Sequence, residues 1–208
     1  MRHFVRKKNN AGFPIYFCRF CRKVARNKKI IAERADIMKI ILNAGHTLQG
    51  GGTGAVGYLN EAEEARKVVN AVKTYLRNKG HTIVVVNVDK AKTQNEYLQA
   101  VVKEANKHAN ADLFVSIHFN AGNGRGSECY TWRGRNVSAA VGMCEEMHKL
   151  GFRNRGVKNG KDLYVIRKTT METVLFEVCF VDNQLDYDLY KKCGVPAIAQ
   201  AITRGILK

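Results

Sequence analysis

From residue 38 onward, short apolar runs alternate with amphipathic stretches. Lys39-Ile40-Ile41-Leu42 is such a run; it ends in Asn43-Ala44-Gly45-His46, and a Gly-rich loop follows from Gln49 to Gly57. Between residues 59 and 79, Ala62, Ala65, Val68, Val69, Val72 and Leu76 recur at intervals of three and four, which predicts one buried face of a helix. Asn60 can cap its start, with Glu63 three residues on, close to a capping box. Asn78-Lys79-Gly80 supplies the stop. Thr82 to Val88 is β-branched and predicts a strand. A helix is then expected at 94–109, strands at 112–121 and 126–132, and a helix at 136–150. Strands at 162–167 and 173–180 and a closing helix at 195–207 complete the pattern. Near-continuous apolar strands separated by helices predict an α/β layer fold with a largely parallel sheet in a single compact domain.

Composition agrees. A chain of 208 residues that is 45% hydrophobic is neither disordered nor collagen-like, and two prolines exclude a Pro-rich linker architecture. No apolar run reaches 18 residues, so stable membrane insertion is not expected. The formal charge of +17 points to an anionic partner. It is unevenly spread: residues 1–37 carry eleven Lys and Arg against only Glu33 and Asp36. We therefore expect a basic N-terminal extension at 1–37 and a moderately basic body at 38–208. The apolar stretch Phe13–Phe20 contains Pro14 and Arg19, which does not fit the core of a secretory signal. Met38, at the head of the first strand, is the expected initiator, with 1–37 as an upstream segment translated in frame. The rival reading is a basic arm with interleaved aromatics (Phe4, Phe13, Tyr16, Phe17, Phe20) that binds nucleic acid or membrane.

Six cysteines accompany this pattern. Free thiols in a reducing compartment are the expectation, above all for Cys179 in its apolar run. Cys18-Arg-Phe-Cys21 lacks the second pair of a zinc ribbon and the βαβ setting of a redox motif.

Three polar residues interrupt apolar strand contexts. His46 follows the first strand, His118 lies in Leu113–Ala121, and Glu177 is flanked by Phe176 and Val178. In open α/β sheets, ligands bind outside the carboxyl ends of the strands. A carboxylate in a setting such as that of Glu177 must be paired, protonated or functional, because burying it alone is costly. Glu61 opens the long helix just after the loop from His46. Two imidazoles and a carboxylate form a known catalytic zinc set with one position open, which would leave Glu177 as the base. Residue by residue, simpler readings compete: His118 as a hydrogen-bonded core histidine, and Glu61 as a first-turn carboxylate facing the helix dipole.

Taken in order, Asn-Ala-Gly-His46, Asn60-Glu61, Ser116-Ile-His118-Phe-Asn120-Ala121 and Val174-Leu-Phe-Glu177-Val-Cys-Phe-Val-Asp-Asn183 resemble the zinc-dependent N-acetylmuramoyl-L-alanine amidases of bacterial autolysins and phage endolysins. The resemblance covers residues 38–208. It implies one Zn2+ per chain held by His46, Glu61 and His118, with Glu177 as the catalytic glutamate. Asn120 and Arg167 are expected to contact substrate. The implied substrate is peptidoglycan, cut between the lactyl group of N-acetylmuramic acid and L-alanine, and the implied sheet is mixed and mostly parallel, flanked by helices. Two features depart from the family pattern: Thr169-Thr170-Met171-Glu172-Thr173 lacks the usual proline before the catalytic strand, and Cys179 stands where a small residue is common.

Arg153, Arg155, Lys158, Lys161, Arg167 and Lys168 form a basic cluster around the expected fifth strand. It reads equally as a solvated rim or as an attractor for stem-peptide carboxylates and anionic wall polymers. The expected setting is synthesis in the cytoplasm followed by release to the wall through a holin or cell lysis. The alternatives are a nucleic-acid-binding protein on an amidase-like scaffold and a zinc peptidase that cuts within the stem. Intact candidate ligand positions argue against the first, so nucleic acid is not the expected partner. Oligomeric state is left open.

Overall fold

The computed structural model describes residues 5–8, 14–17 and 37–208. Cys18, Cys21 and most of the basic arm lie outside them. Contacts divide the chain into two units, Met1–Ile37 and Met38–Lys208. In the first, β1 (Val5–Lys8) and β2 (Pro14–Phe17) pair antiparallel, with Val5 opposite Phe17.

The second unit is built on a six-stranded sheet. Its strands are β3 (Lys39–Ala44), β5 (Thr82–Val85), β7 (Leu113–Asn120), β8 (Ser127–Thr131), β9 (Asn154–Asn159) and β10 (Thr173–Phe180). The spatial order is β5-β3-β7-β10-β8-β9. The first four run parallel, β8 is antiparallel to β10, and β9 is parallel to β8. The sheet is therefore mixed and mostly parallel. A separate two-residue pair, β4 (Gln49–Gly50) with β6 (Lys90–Ala91), pins the Gly-rich loop.

Five helices cover the sheet: α1 (Glu61–Asn78), α2 (Gln94–Asn106), α3 (Ser138–Lys149), α4 (Tyr164–Lys168) and α5 (Gln184–Ile206). Asn60 caps α1 as expected, accepting from the Glu63 amide at 3.3 Å. Strand alternation sorts the core into two layers. Val115, Ile117, Phe119, Val174 and Phe176 pack with Val68, Val72 and Ile202 on one face. Phe114 and Leu175 pack with Val101 and Ile166 on the other. Among the described residues, no helix is long and apolar enough to cross a membrane.

One expectation needs correction and one needs extending. Residues 162–167 are not a strand: Tyr164–Lys168 is a short helix, and the strand lies earlier, at Asn154–Asn159. The expected closing helix is the second segment of α5, after Gly194 (φ 70°) breaks the helical run just before Pro196; the segment from Gln184 that precedes it was not expected.

One irregularity bears on the site. Glu177 pairs with His118, but Phe180, not Cys179, pairs with Asn120. This β-bulge sets two residues of β10, Val178 and Cys179, against one of β7, Phe119. As a result Val178 and Cys179 both face the core shared with α1 and α5, while Phe180 turns to the side of Asn120.

Candidate active site

His46 follows β3 after Gly45, in a left-handed conformation (φ 65°), which is costly for a residue with a side chain. The surroundings over-determine it. Its amide donates to the Tyr97 hydroxyl at 2.7 Å, and Arg66 Nη2 donates to its carbonyl at 3.0 Å. Arg66 is itself held by Asp89, with Nη2 to Oδ1 at 2.7 Å. Glu61 opens α1, where first-turn acids suit the helix dipole. Its Oε2 accepts from the Ala55 amide at 2.9 Å and its Oε1 from the Phe119 amide at 3.1 Å. His118 stands on β7, sixth of eight residues.

These three side chains meet. Glu61 Oε1 lies 3.1 Å from His46 Nε2 and 3.1 Å from His118 Nδ1. The far nitrogen of each ring is also engaged. His46 Nδ1 donates to the Gly52 carbonyl at 3.0 Å. The Ser116 hydroxyl donates to Asn43 Oδ1 at 2.6 Å, so its oxygen accepts from His118 Nε2 at 3.1 Å. Asn43 is fully buried, and its amide donates to the Val86 carbonyl at 2.7 Å, which fixes its orientation. Both outer nitrogens therefore carry protons, and the lone pairs of His46 Nε2 and His118 Nδ1 converge on Glu61. The three ligand atoms lie within 4.8 Å of one another, a group that could hold a metal ion. The backbone leaves room for these rings: a Cβ on Gly45 would lie 2.4 Å from the His118 ring, and one on Gly54 2.8 Å from both Glu61 and His46.

Electrostatics follow the same contacts. Burial alone would raise the Glu61 carboxyl, but the two imidazoles, when protonated on the nitrogens that face it, hydrogen-bond it and hold it far below the usual range. Burial disfavours protonation of His46, yet the Glu61 hydrogen bond and charge outweigh it and raise its pKa. His118 is lowered, chiefly by burial.

His46, Gly54, Glu61, His118, Asn120 and Glu177 share the wall of one cleft of about 520 Å³. Glu177 Oε2 is buried and has no hydrogen-bond partner among the described residues. Burial, then the charges of Glu61 and Glu128, push this carboxyl well above its ordinary range. Asn120 Nδ2 donates to Glu128 Oε1 at 2.8 Å. Arg167 is not brought here. It lies on α4, exposed, and lines a separate cleft of about 350 Å³ with Trp132, Arg135 and Thr173. The reason is topological: α4 precedes β10, so it sits at the strand's amino end, away from the cleft.

Sequence reasoning missed the supporting residues. Ser116 and Asn43 lay inside the quoted motifs without a role. Glu128 carried the same signal as Glu177, a carboxylate in a buried strand, and pairs directly with it across β8 and β10.

Residues 40–208 match the N-acetylmuramoyl-L-alanine amidase family. An uncharacterized Clostridium perfringens protein is 33% identical over 177 residues, covering 81% of this chain and 51% of that protein. The N-acetylmuramoyl-L-alanine amidase CwlM of Bacillus licheniformis is 33% identical over 173 residues, covering 81% and 66%. The catalytic domain of the CD27L endolysin, which targets Clostridia difficile, superposes with a TM-score of 0.75 at 31% identity, covering 82% of this chain and 97% of that domain. The chain spans about half the length of the first curated relatives it matches. With the family match running from β3 to the last residue over this fold and this cleft, the chain belongs to the N-acetylmuramoyl-L-alanine amidase family.

Proposed function

We propose that residues 38–208 hydrolyse the amide between the lactyl group of N-acetylmuramic acid and the L-alanine of the peptidoglycan stem peptide. One zinc ion would be held by His46 Nε2, Glu61 and His118 Nδ1. The observation that carries this reading is the convergence of two tautomer-fixed imidazoles and one carboxylate beside an unpartnered, buried carboxyl. A zinc ion at such a His-His-Glu set supplies Lewis acidity toward the scissile carbonyl and positive charge that eases deprotonation around it.

The chain's own part is to orient substrate and move one proton. Glu177 Oε2 faces no competing donor, so it is free to accept a proton from the attacking water as the new O–C bond forms. As the C–N bond breaks, the same oxygen returns the proton to the alanine nitrogen. Its high proton affinity suits the second half of this exchange. Asn120, locked by Glu128 and lining the cleft, orients substrate. The exposed Arg153, at the head of β9, would draw anionic wall polymers toward this end of the sheet, whereas Lys158 and Lys161 lie toward its opposite end.

The deciding experiment is mass spectrometry of products from purified Gram-positive peptidoglycan, with a chelated sample alongside. Intact stem peptides with a free N-terminal alanine, lost on chelation and restored by zinc, are expected. Cleavage within the stem would make the protein a peptidase, and no cleavage by folded, zinc-loaded protein would overturn the reading.

A further inference from the structure

Beside the cleft lies a second arrangement that the hydrolytic step does not use. Strand pairing sets His118, Glu177 and Glu128 in one row across β7, β10 and β8, all on the same face. Arg155, on the adjacent edge strand β9, continues the row. Its Nε donates to Glu128 Oε2 at 2.7 Å, and its guanidinium lies over the Phe180 ring, 5.0 Å from the centroid. Glu128 is itself held by Asn120 Nδ2 and by the Tyr130 hydroxyl at 3.0 Å. The guanidinium plane is thus fixed from one edge and from one face. No described residue accepts from Nη1 or Nη2, and the side chain is 29% exposed. What remains is the two-pronged end of the fork, linked through Glu128 to Asn120 of the cleft wall.

We propose that Arg155 is a carboxylate receptor that binds a free carboxylate of the stem peptide on the alanine side of the scissile amide. The inference rests on the amidase reading and deepens it. A fixed fork matches a carboxylate with two parallel N–H donors, which an ammonium cannot do. Because Glu128 and Phe180 already restrict the side chain, little rotamer freedom is left to lose on binding. The reach is suitable as well. Two strand spacings separate β10 from β9, about 10 Å, and an extended dipeptide spans about 7 Å, the arginine closing the difference. The α-carboxylate of the second stem residue is the group that falls there. Glu128 is then a positioning residue that aims both Asn120 and Arg155.

The test compares two soluble substrates, N-acetylmuramyl-L-alanyl-D-glutamate and the same compound with its α-carboxylate amidated, on the full zinc-loaded chain. Wild type is expected to show a KM roughly 10- to 100-fold lower for the free acid. In Arg155→Met that preference collapses toward one, and in Arg155→Lys it is intermediate. Damage to folding or to the metal centre would weaken both substrates and leave their ratio intact. Equal KM values in wild type, or a ratio unchanged in Arg155→Met, would overturn the proposal. Should the chain cleave neither compound, the amidase reading fails. Binding of the pair, followed at the Arg155 Nε–H signal by NMR, then decides the receptor: a shift with the acid alone supports it, and equal or absent shifts refute it.

Discussion

At the residue scale, the metal group depends on atoms two bonds removed from it. The Ser116 hydroxyl holds the outer nitrogen of His118 and is held in turn by buried Asn43. Loss of such outer partners typically weakens metal binding about 10- to 100-fold. Ser116→Ala is expected to lose zinc affinity in that range, read by competition with a chromogenic chelator, while its circular dichroism matches wild type. Glu177→Gln is expected to behave oppositely, keeping zinc affinity but losing about 10²- to 10⁴-fold in kcat. The grouping was legible because His46, His118 and Glu177 each interrupt an apolar strand context and Glu61 opens α1 just after the loop from His46. The tautomer relay was not, since a serine and an asparagine in a strand announce nothing until side-chain directions are known. Arg167 misled because positive charge near the catalytic strand in sequence lies at its far end in space.

At the element scale, α3 and α5 are joined by Glu146, whose carboxylate accepts from Arg204 Nε at 2.7 Å and Lys149 Nζ at 2.6 Å. These bonds, with Lys208, lower its pKa from 4.5 to about 2. The folded value lies below the unfolded one, so the stabilisation is complete above pH 4.5 and fades as pH falls toward 2. Glu146→Gln should therefore lower Tm by about 2–4 °C at pH 7, with the difference from wild type vanishing near pH 2 in thermal scans. Strong periodicity made α1 readable almost to the residue. Strand β9 was not, because Asn-Arg-Gly-Val-Lys-Asn at a sheet edge has one aliphatic side chain to reveal it. The apolar run at 163–166 was mistaken for that strand, although Val165 and Ile166 are buried by a single turn of helix. The first half of α5 buries only Asp186 and Tyr190, too few positions to carry a period.

At the scale of the whole unit, the metal group ties together residues 46, 61 and 118, from the end of β3, the head of α1 and the middle of β7. A ligand bound only by the folded state stabilises it by mass action. Chelation should lower the Tm of the zinc-loaded chain, and Glu177→Gln should retain the full zinc-dependent increment, whereas Glu61→Gln should lose most of it. Differential scanning calorimetry with graded zinc reads all three. The α/β class and the two-sided core were readable because apolar strands demand cover on both faces. The reversal of β8 and β9 was not, since a strand's direction leaves no trace in its composition.

The bulge in β10 sets a tension between regularity and use. Straightening the bulge with every residue kept, so that Cys179 rather than Phe180 lies opposite Asn120, would restore an unbroken ladder with β7 and, by hydrogen bonding alone, a tidier sheet. It would also put every later side chain out of phase. The phenyl ring of Phe180 would rotate from beneath the Arg155 guanidinium into the opposite layer, and Asp186, which accepts from the Phe180 amide at 3.0 Å, would lose its anchor. A redesign scored on backbone ideality would erase this defect first and would trade a working groove for a better-ordered scaffold.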